Sequence, residues 1–271
     1  SRMTIIAGVF SICAILCYIV CFKLTSERVE VPASNQKISA SAIFKSIFTN
    51  KALLGIIVAA IFVLLSQLTV MSLAGYVYPN VYGSAAAQST ASLLGTVVML
   101  VVCAPFASKL SAKFGKKELA MGSSILSALV WLVCLIWRPA SVWGFVACYI
   151  LANIGMGFFN TIIWAMITDV IDDAEVRNGM REDGTIYSVY SFARKLGQAF
   201  SSGLVGALLG IIGYTEATAF DPAVTRGIFN MACIAPIIGF VCIVLALAFL
   251  YPLNKKKVEE NVAELAARRN K

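Results

Sequence analysis

The sequence predicts an all-α membrane protein with seven transmembrane helices, on three observations. Of its 271 residues 59% are hydrophobic and only 13% charged, roughly half the charge of a soluble domain. The apolar residues gather into seven runs of about twenty residues or more, the length that crosses a hydrocarbon core as a helix. None of these runs alternates with strand periodicity, which argues against an outer-membrane barrel.

Taken in order, the first span is Met3–Phe22, with only Ser1-Arg2 before it and no cleavage-site pattern after it, so it is not a signal peptide. The lack of an initiator Met and the short lead predict an excerpt from a longer polytopic protein. Thr25–Asn50 is polar, contains Pro32, Asn35, Gln36 and Lys37, and ends in the amphipathic segment Ser41–Phe48. A linker of that length is unusual between packed helices. The remaining spans are Leu53–Tyr76, Ala86–Ala107, Leu119–Trp137, Val142–Thr168, Thr185–Gly213 and Gly227–Tyr251. The division expected is residues 1–23 a transmembrane helix, 24–50 a linker, 51–253 a six-helix block and 254–271 a basic tail lying on the membrane surface. One helix, a long linker and six helices is the pattern left by cutting a twelve-helix transporter before its sixth span.

The net charge of +8 is uneven. Segments after the first, third, fifth and seventh spans carry most of the Lys and Arg, whereas the other side holds only Arg2, Arg138 and Arg226. The positive-inside rule puts the rich side and the C-terminus in the cytoplasm of a multi-pass inner or plasma membrane protein. Topology thus accounts for the basic charge without nucleic acid. The eight cysteines lie in or at the ends of apolar spans, form no CxxC pair and read as packing residues. With no histidine, a histidine-containing zinc site and a histidine-based triad are excluded.

Lys195 is the most informative residue. It lies about ten residues into the sixth span, roughly 15 Å along the helix and near mid-membrane. A cation there costs at least ~2.5 kcal/mol. No carboxylate shares its span, so its partner comes from another helix or a ligand. Arg194 is adjacent, about 100° around the helix. Tyr187, Ser191, Arg194 and Gln198 form a polar stripe, and Ser188, Ser191, Lys195 and Ser202 an overlapping one. Such a stripe faces a cavity or the bundle interior more often than lipid. The fifth span has its own polar face of Asn153, Asn160, Thr161, Trp164 and Thr168. An indole stacks on a sugar ring while amides bond its hydroxyls; interhelical hydrogen bonding and a Trp anchor explain the same face. Gln67 is a further candidate of this kind. Glycines 197, 203, 206, 210 and 213, with Gly206-x-x-x-Gly210, read as a packing face and alternatively as a sliding surface.

The connection from Asp169 to Gly184 holds six of the fourteen acidic residues. Asp169 and Asp172 share a face if the fifth helix continues past Thr168. The segment reads either as a solvated loop or as a gate in which Asp169, Asp172, Glu175 and Asp183 trade ion pairs with Arg181. A cytoplasmic metal-holding enzyme is a more remote reading of the Asp169–Asp173 cluster.

Three segments carry a family resemblance. The basic turn Lys109-Leu-Ser-Ala-Lys-Phe-Gly-Lys-Lys117 resembles the inner loop of the major facilitator superfamily, with Gly115 permitting the turn. Trp164-Ala-Met-Ile-Thr-Asp169-Val-Ile-Asp172-Asp-Ala-Glu175, then Arg181-Glu-Asp-Gly-Thr185 and Tyr187-Ser-Val-Tyr-Ser-Phe-Ala-Arg-Lys195-Leu-Gly197, resemble the signature of the glycoside–pentoside–hexuronide:cation symporters, the family of the melibiose carrier. Asp169, Asp172, Glu175, Arg181, Asp183 and Lys195 fall without gaps on like-charged positions of that carrier. The resemblance implies the sixth helix plus the C-terminal six-helix half of a twelve-helix major facilitator fold, a carrier rather than an enzyme. It implies alternating-access symport of a glycoside, pentoside or hexuronide with Na⁺ or H⁺ (Li⁺ possible) and no cofactor. Asp169, Asp172, Glu175 and Arg181, with Asp183, belong on that reading to the inner gate. Lys195 lies near the sugar and cation sites, lined further by Tyr190 and the stripe residues. The family's cation-binding carboxylates lie on N-terminal helices outside this sequence, so the implied partners are sugar, monovalent cation, bilayer and that missing half. A seven-helix receptor, or a non-transporting half-length membrane protein, remains the alternative.

Overall fold

The computed structural model describes residues 2–25, 50–179 and 181–269. Residues 26–49, which hold most of the linker and its amphipathic segment Ser41–Phe48, fall outside the described residues. The chain divides into two units, Ser1–Ser39 and Ala40–Lys271.

The described part of the first unit is the helix α1, Arg2–Leu24. Its 23 residues reach about 35 Å at ~1.5 Å per residue, enough to cross a ~30 Å core. Met3, Ile5, Ile6, Ile15 and Tyr18 spread the apolar surface around every side, as in a membrane span.

Among its described residues the second unit holds six further helices long and apolar enough to cross a membrane: α2 (Lys51–Val81), α3 (Ala85–Phe114), α4 (Lys116–Trp137), α5 (Val142–Asn178), α6 (Asp183–Ile212) and α7 (Pro222–Phe249). Another helix, α8 (Lys255–Arg269), is short and polar. Two of the helix starts carry side-chain caps. Asn50 Oδ1 accepts from Leu53 N at 3.1 Å ahead of α2, and Ser141 Oγ accepts from Trp143 N at 3.3 Å ahead of α5. Two spans contain π turns: Val77–Val81 around Pro79 closes α2, and Met99–Cys103 interrupts α3 just before Pro105. Proline removes a backbone donor, and the wider turn absorbs the fault. Between α3 and α4 the single residue Gly115 reverses the chain at φ +102°, a conformation that excludes a Cβ.

Helices α2, α4, α5 and α7 make the core, with α3 packed on α5 and α6 on α2. Lipid offers little hydrophobic drive between helices, so close contact relies on small residues. Gly155 of α5 meets Ser123 and Ser127 of α4, and Gly239 of α7 meets Ser66 of α2. A Cβ on Gly197 of α6 would lie 2.8 Å from the Ile61 carbonyl of α2. Ser127 Oγ donates to Ala152 O at 2.8 Å, and Thr69 and Ser201 share a buried hydrogen bond of 3.2 Å.

One sequence expectation changes here. Helix α5 does not stop at Thr168. It runs for 37 residues, about 55 Å, and ends at Gly179 with φ +72°. The acidic segment through Glu175 is therefore helical, not a solvated loop. Among the described residues no helix packs on Gly206-x-x-x-Gly210. Gly203, Gly206 and Gly210 have open space where a Cβ would stand, so of this series only Gly197 is wedged against a neighbouring helix.

Candidate functional site

The polar side chains within the spans collect in two places. The first is a cavity of about 210 Å³ lined mainly by α2, α3 and α5, with Trp131 of α4 and Phe240 of α7. Gln67 and Asn153 both line it, beside Ser66, Thr96 and Tyr149. Asn153 Nδ2 donates to Tyr149 O at 2.8 Å, and Asn160 Nδ2 donates to Gln67 Oε1 at 3.4 Å. The amides thus bind one another as well as edging the cavity. Ligand pockets ordinarily span ~300–1,000 Å³, so this volume suits part of a site.

The second place is the α5–α6 face. Trp164, half-exposed, sets its ring edge-on to the buried Tyr190 with centroids 5.5 Å apart. The Arg194 guanidinium lies 5.5 Å from the Trp164 ring and 5.7 Å from that of Tyr190, and donates to the Tyr190 hydroxyl at 3.3 Å. Lys195 is exposed on the open side of α6, where Nζ donates to Gln198 Oε1 at 3.3 Å. Tyr187 and Ser191 stand exposed on the same helix. Neither Arg194 nor Lys195 makes an ion pair among the described residues. The structure therefore brings Trp164, Tyr190 and Arg194 together, pairs Lys195 with Gln198 and Asn160 with Gln67, and sets Gln67 and Asn153 on the cavity.

At the basic end of the bundle the charged residues sort into three groups. Arg181 bridges Asp172 at 3.0 Å, Glu175 at 2.8 Å and Asp183 at 2.8 Å. Partial burial works against its charge, but the hydrogen bonds it donates to Glu175, Asp172 and Asp183 outweigh that and hold the guanidinium protonated. Asp169 does not join this cluster. Its buried carboxylate pairs with Lys116, at the start of α4, at 2.6 Å. Asp173, also buried, pairs with Arg177 at 2.8 Å and accepts from Asn261 Nδ2 of α8 at 3.1 Å. Tyr251, between α7 and α8, is 1% exposed. Burial, then the charges of Asp169, Asp173 and Glu118, push its phenol well above the usual range.

Sequence reasoning missed Lys116, Tyr149 and Asn261, and took Asp173 only as a member of the acidic cluster. Tyr149 had a signal, since it stands one helical turn before Asn153 on the same face. Lys116 had been accounted for by topology alone, and nothing local in the sequence names its partner.

Comparison with known proteins bears on what this arrangement serves. The family model of the MFS/sugar transport proteins matches residues 1–255. The chain is similar to the uncharacterized symporter YjmB of Bacillus subtilis (strain 168), 29% identical over 269 residues, covering 96% of this chain and 57% of that protein. It is similar to the glucuronide carrier protein homolog of Escherichia coli (strain K12), 28% identical over 264 residues, covering 96% and 56%. With the isoprimeverose transporter of Lactiplantibacillus pentosus it shares 24% identity over 270 residues, covering 94% and 55%. These relatives are transporters, not enzymes. The chain spans about half the length of the curated relatives it matches.

Proposed function

The chain belongs to the MFS/sugar transport protein family, and we propose that it is the C-terminal part of a plasma-membrane symporter. On this reading the carrier takes up a glycoside, pentoside or hexuronide together with Na⁺, H⁺ or Li⁺. Sugar and cation bind between this bundle and a preceding six-helix half, and alternating access delivers both inward. On this reading the basic end faces the cytoplasm, which the distribution of Lys and Arg supports. There the Arg181 cluster and the Lys116–Asp169 pair act as the inner gate, ion pairs that break and remake as the halves rock.

The observation that carries the reading is Arg194 and Lys195 side by side on α6, within an apolar span and without a carboxylate partner among the described residues. Two cations in that setting need an anion from a facing helix or from the ligand. Of the three sugar classes a hexuronide meets that need best, because its carboxylate supplies the counter-charge while Trp164 offers a ring for stacking. The 210 Å³ cavity, small for a whole ligand, suits a site completed by a second bundle.

Uptake of a labelled hexuronide by cells making the full-length carrier tests the proposal. Lys195→Ala should bring accumulation to near background at unchanged membrane expression, and imposed Na⁺ or H⁺ gradients across vesicles should identify the coupling ion. Wild-type accumulation by Lys195→Ala at equal expression would reject a role for Lys195 in the transport path.

A further inference from the structure

Helix α8 is tied to the bundle by named contacts at both ends and in the middle. Lys255 Nζ donates to Ala112 O at 2.8 Å, in the last turn of α3. Lys117 Nζ of α4 donates to Tyr251 O at 2.6 Å, just ahead of α8. Asn261 donates to the Asp173 carboxylate, and the two residues are only 2% and 1% exposed. Leu265, one turn further, is also buried. Arg268 donates to Val176 O at 3.0 Å and Glu175 O at 3.5 Å, in the final turns of α5.

The part of α5 held this way needs support. Beyond Thr168 it packs Asp169, Asp172, Asp173 and Glu175 into two turns. Carboxylates three and four apart on a helix repel one another, and a charged stretch of about ten residues is marginal as an isolated helix in water. The C-terminal carbonyls lack intrahelical donors and form the negative end of the helix dipole. Arg268 supplies both a donor and a positive charge there. The two faces divide the work: Asp172 and Glu175 turn to Arg181, while Asp173 and the Val176 carbonyl turn to α8.

We infer that α8 is a brace for the α5 extension and that Asn261 is a positioning residue for the Arg181 cluster. Seated on Asp173, Asn261 keeps the extension helical, so Asp172 and Glu175 stay at a spacing that one guanidinium bridges. The consequence for transport rests on the gate reading above; the bracing rests on the contacts alone.

Hydrogen exchange by mass spectrometry on the full chain in lipid nanodiscs separates the two. Asn261→Asp sets a second carboxylate against Asp173. The amides of residues 172–178 should then exchange at least about tenfold faster while those of 145–165 keep their protection. The swap Asp173→Asn with Asn261→Asp restores the complementary pair and should return exchange to within about twofold of wild type, a rescue that mere space-filling does not predict. Unchanged exchange in Asn261→Asp, or loosening that the swap leaves in place, overturns the inference. If Asn261→Asp also opens residues 145–165, Arg268→Ala decides: faster exchange confined to 175–178 supports the brace, and no change overturns it. Sugar uptake by the full-length carrier is measured in parallel. Absence of uptake by wild type counts against the transport reading and leaves the exchange result standing.

Discussion

Removing Lys116 should leave the most exposed fault in the basic end of the bundle. Its Nζ sits 2.6 Å from Asp169 Oδ1, with side-chain exposures of 32% and 5%. At an effective dielectric of about 20 the bare attraction at that distance is roughly 6 kcal/mol. Desolvation of a nearly buried carboxylate offsets much of it. Breaking such a pair from one side costs ~3–5 kcal/mol when both partners are buried, and access of water to Lys116 places this pair near ~3 kcal/mol. Lys116→Met keeps the aliphatic length and removes the charge, so it should destabilise by about that amount. Asp169→Leu added to it removes the stranded carboxylate and should recover all but about 1 kcal/mol. Asp169→Leu alone strands only the water-accessible ammonium and should cost about 1 kcal/mol, so the coupling from the double-mutant cycle is about 3 kcal/mol. Equilibrium unfolding in mixed micelles, followed by tryptophan fluorescence, measures all four corners. Additive effects, with coupling below ~0.5 kcal/mol, would refute a buried pair at this position.

Two further expectations concern packing and titration. Gly197→Val drives a side chain into the Ile61 backbone 2.8 Å away and should cost ~1–3 kcal/mol, whereas Gly203→Ala, mid-helix with open space at its Cβ, should stabilise by up to ~1 kcal/mol; thermal unfolding compares the two. Tyr251 is held neutral in the folded chain, so its contribution is fully present below the ordinary phenol pKa of 10.0 and is lost as pH rises from there toward the raised folded value. Wild-type stability should fall above that pH more steeply than that of Tyr251→Phe, by up to ~1.4 kcal/mol per unit, and parallel curves would contradict the burial of its hydroxyl.

The seven spans were legible because a bilayer imposes one length and one composition on whatever crosses it, and both are written locally. The polar face of α5 and the stripes of α6 were legible for a similar reason: helical period fixes which residues share a side. Partners were another matter. Asp169, Asp172 and Asp173 lie within five positions of one another, yet they go respectively to Lys116, Arg181 and the Arg177–Asn261 pair. Their angular separation on α5 aims each at a different neighbour, and no local pattern names that neighbour. The continuation of α5 to Asn178 was hidden because the apolar signal ends at Thr168, while the support for the remaining turns comes from α8, which is distant in sequence.

By itself the sequence determined a seven-span helical membrane chain of a sugar-transporter family, with two adjacent cations carried into its sixth span. Only the tertiary structure decided that Gly197 packs while Gly206 and Gly210 stay open, that Gln67 and Asn153 share a cavity, and that the tail helix grips the acidic end of α5. The division follows from physics. Solvent, whether lipid or water, acts on each residue through its own side chain, whereas an ion pair or a helix contact depends on two segments whose meeting is set by the packing of all the others.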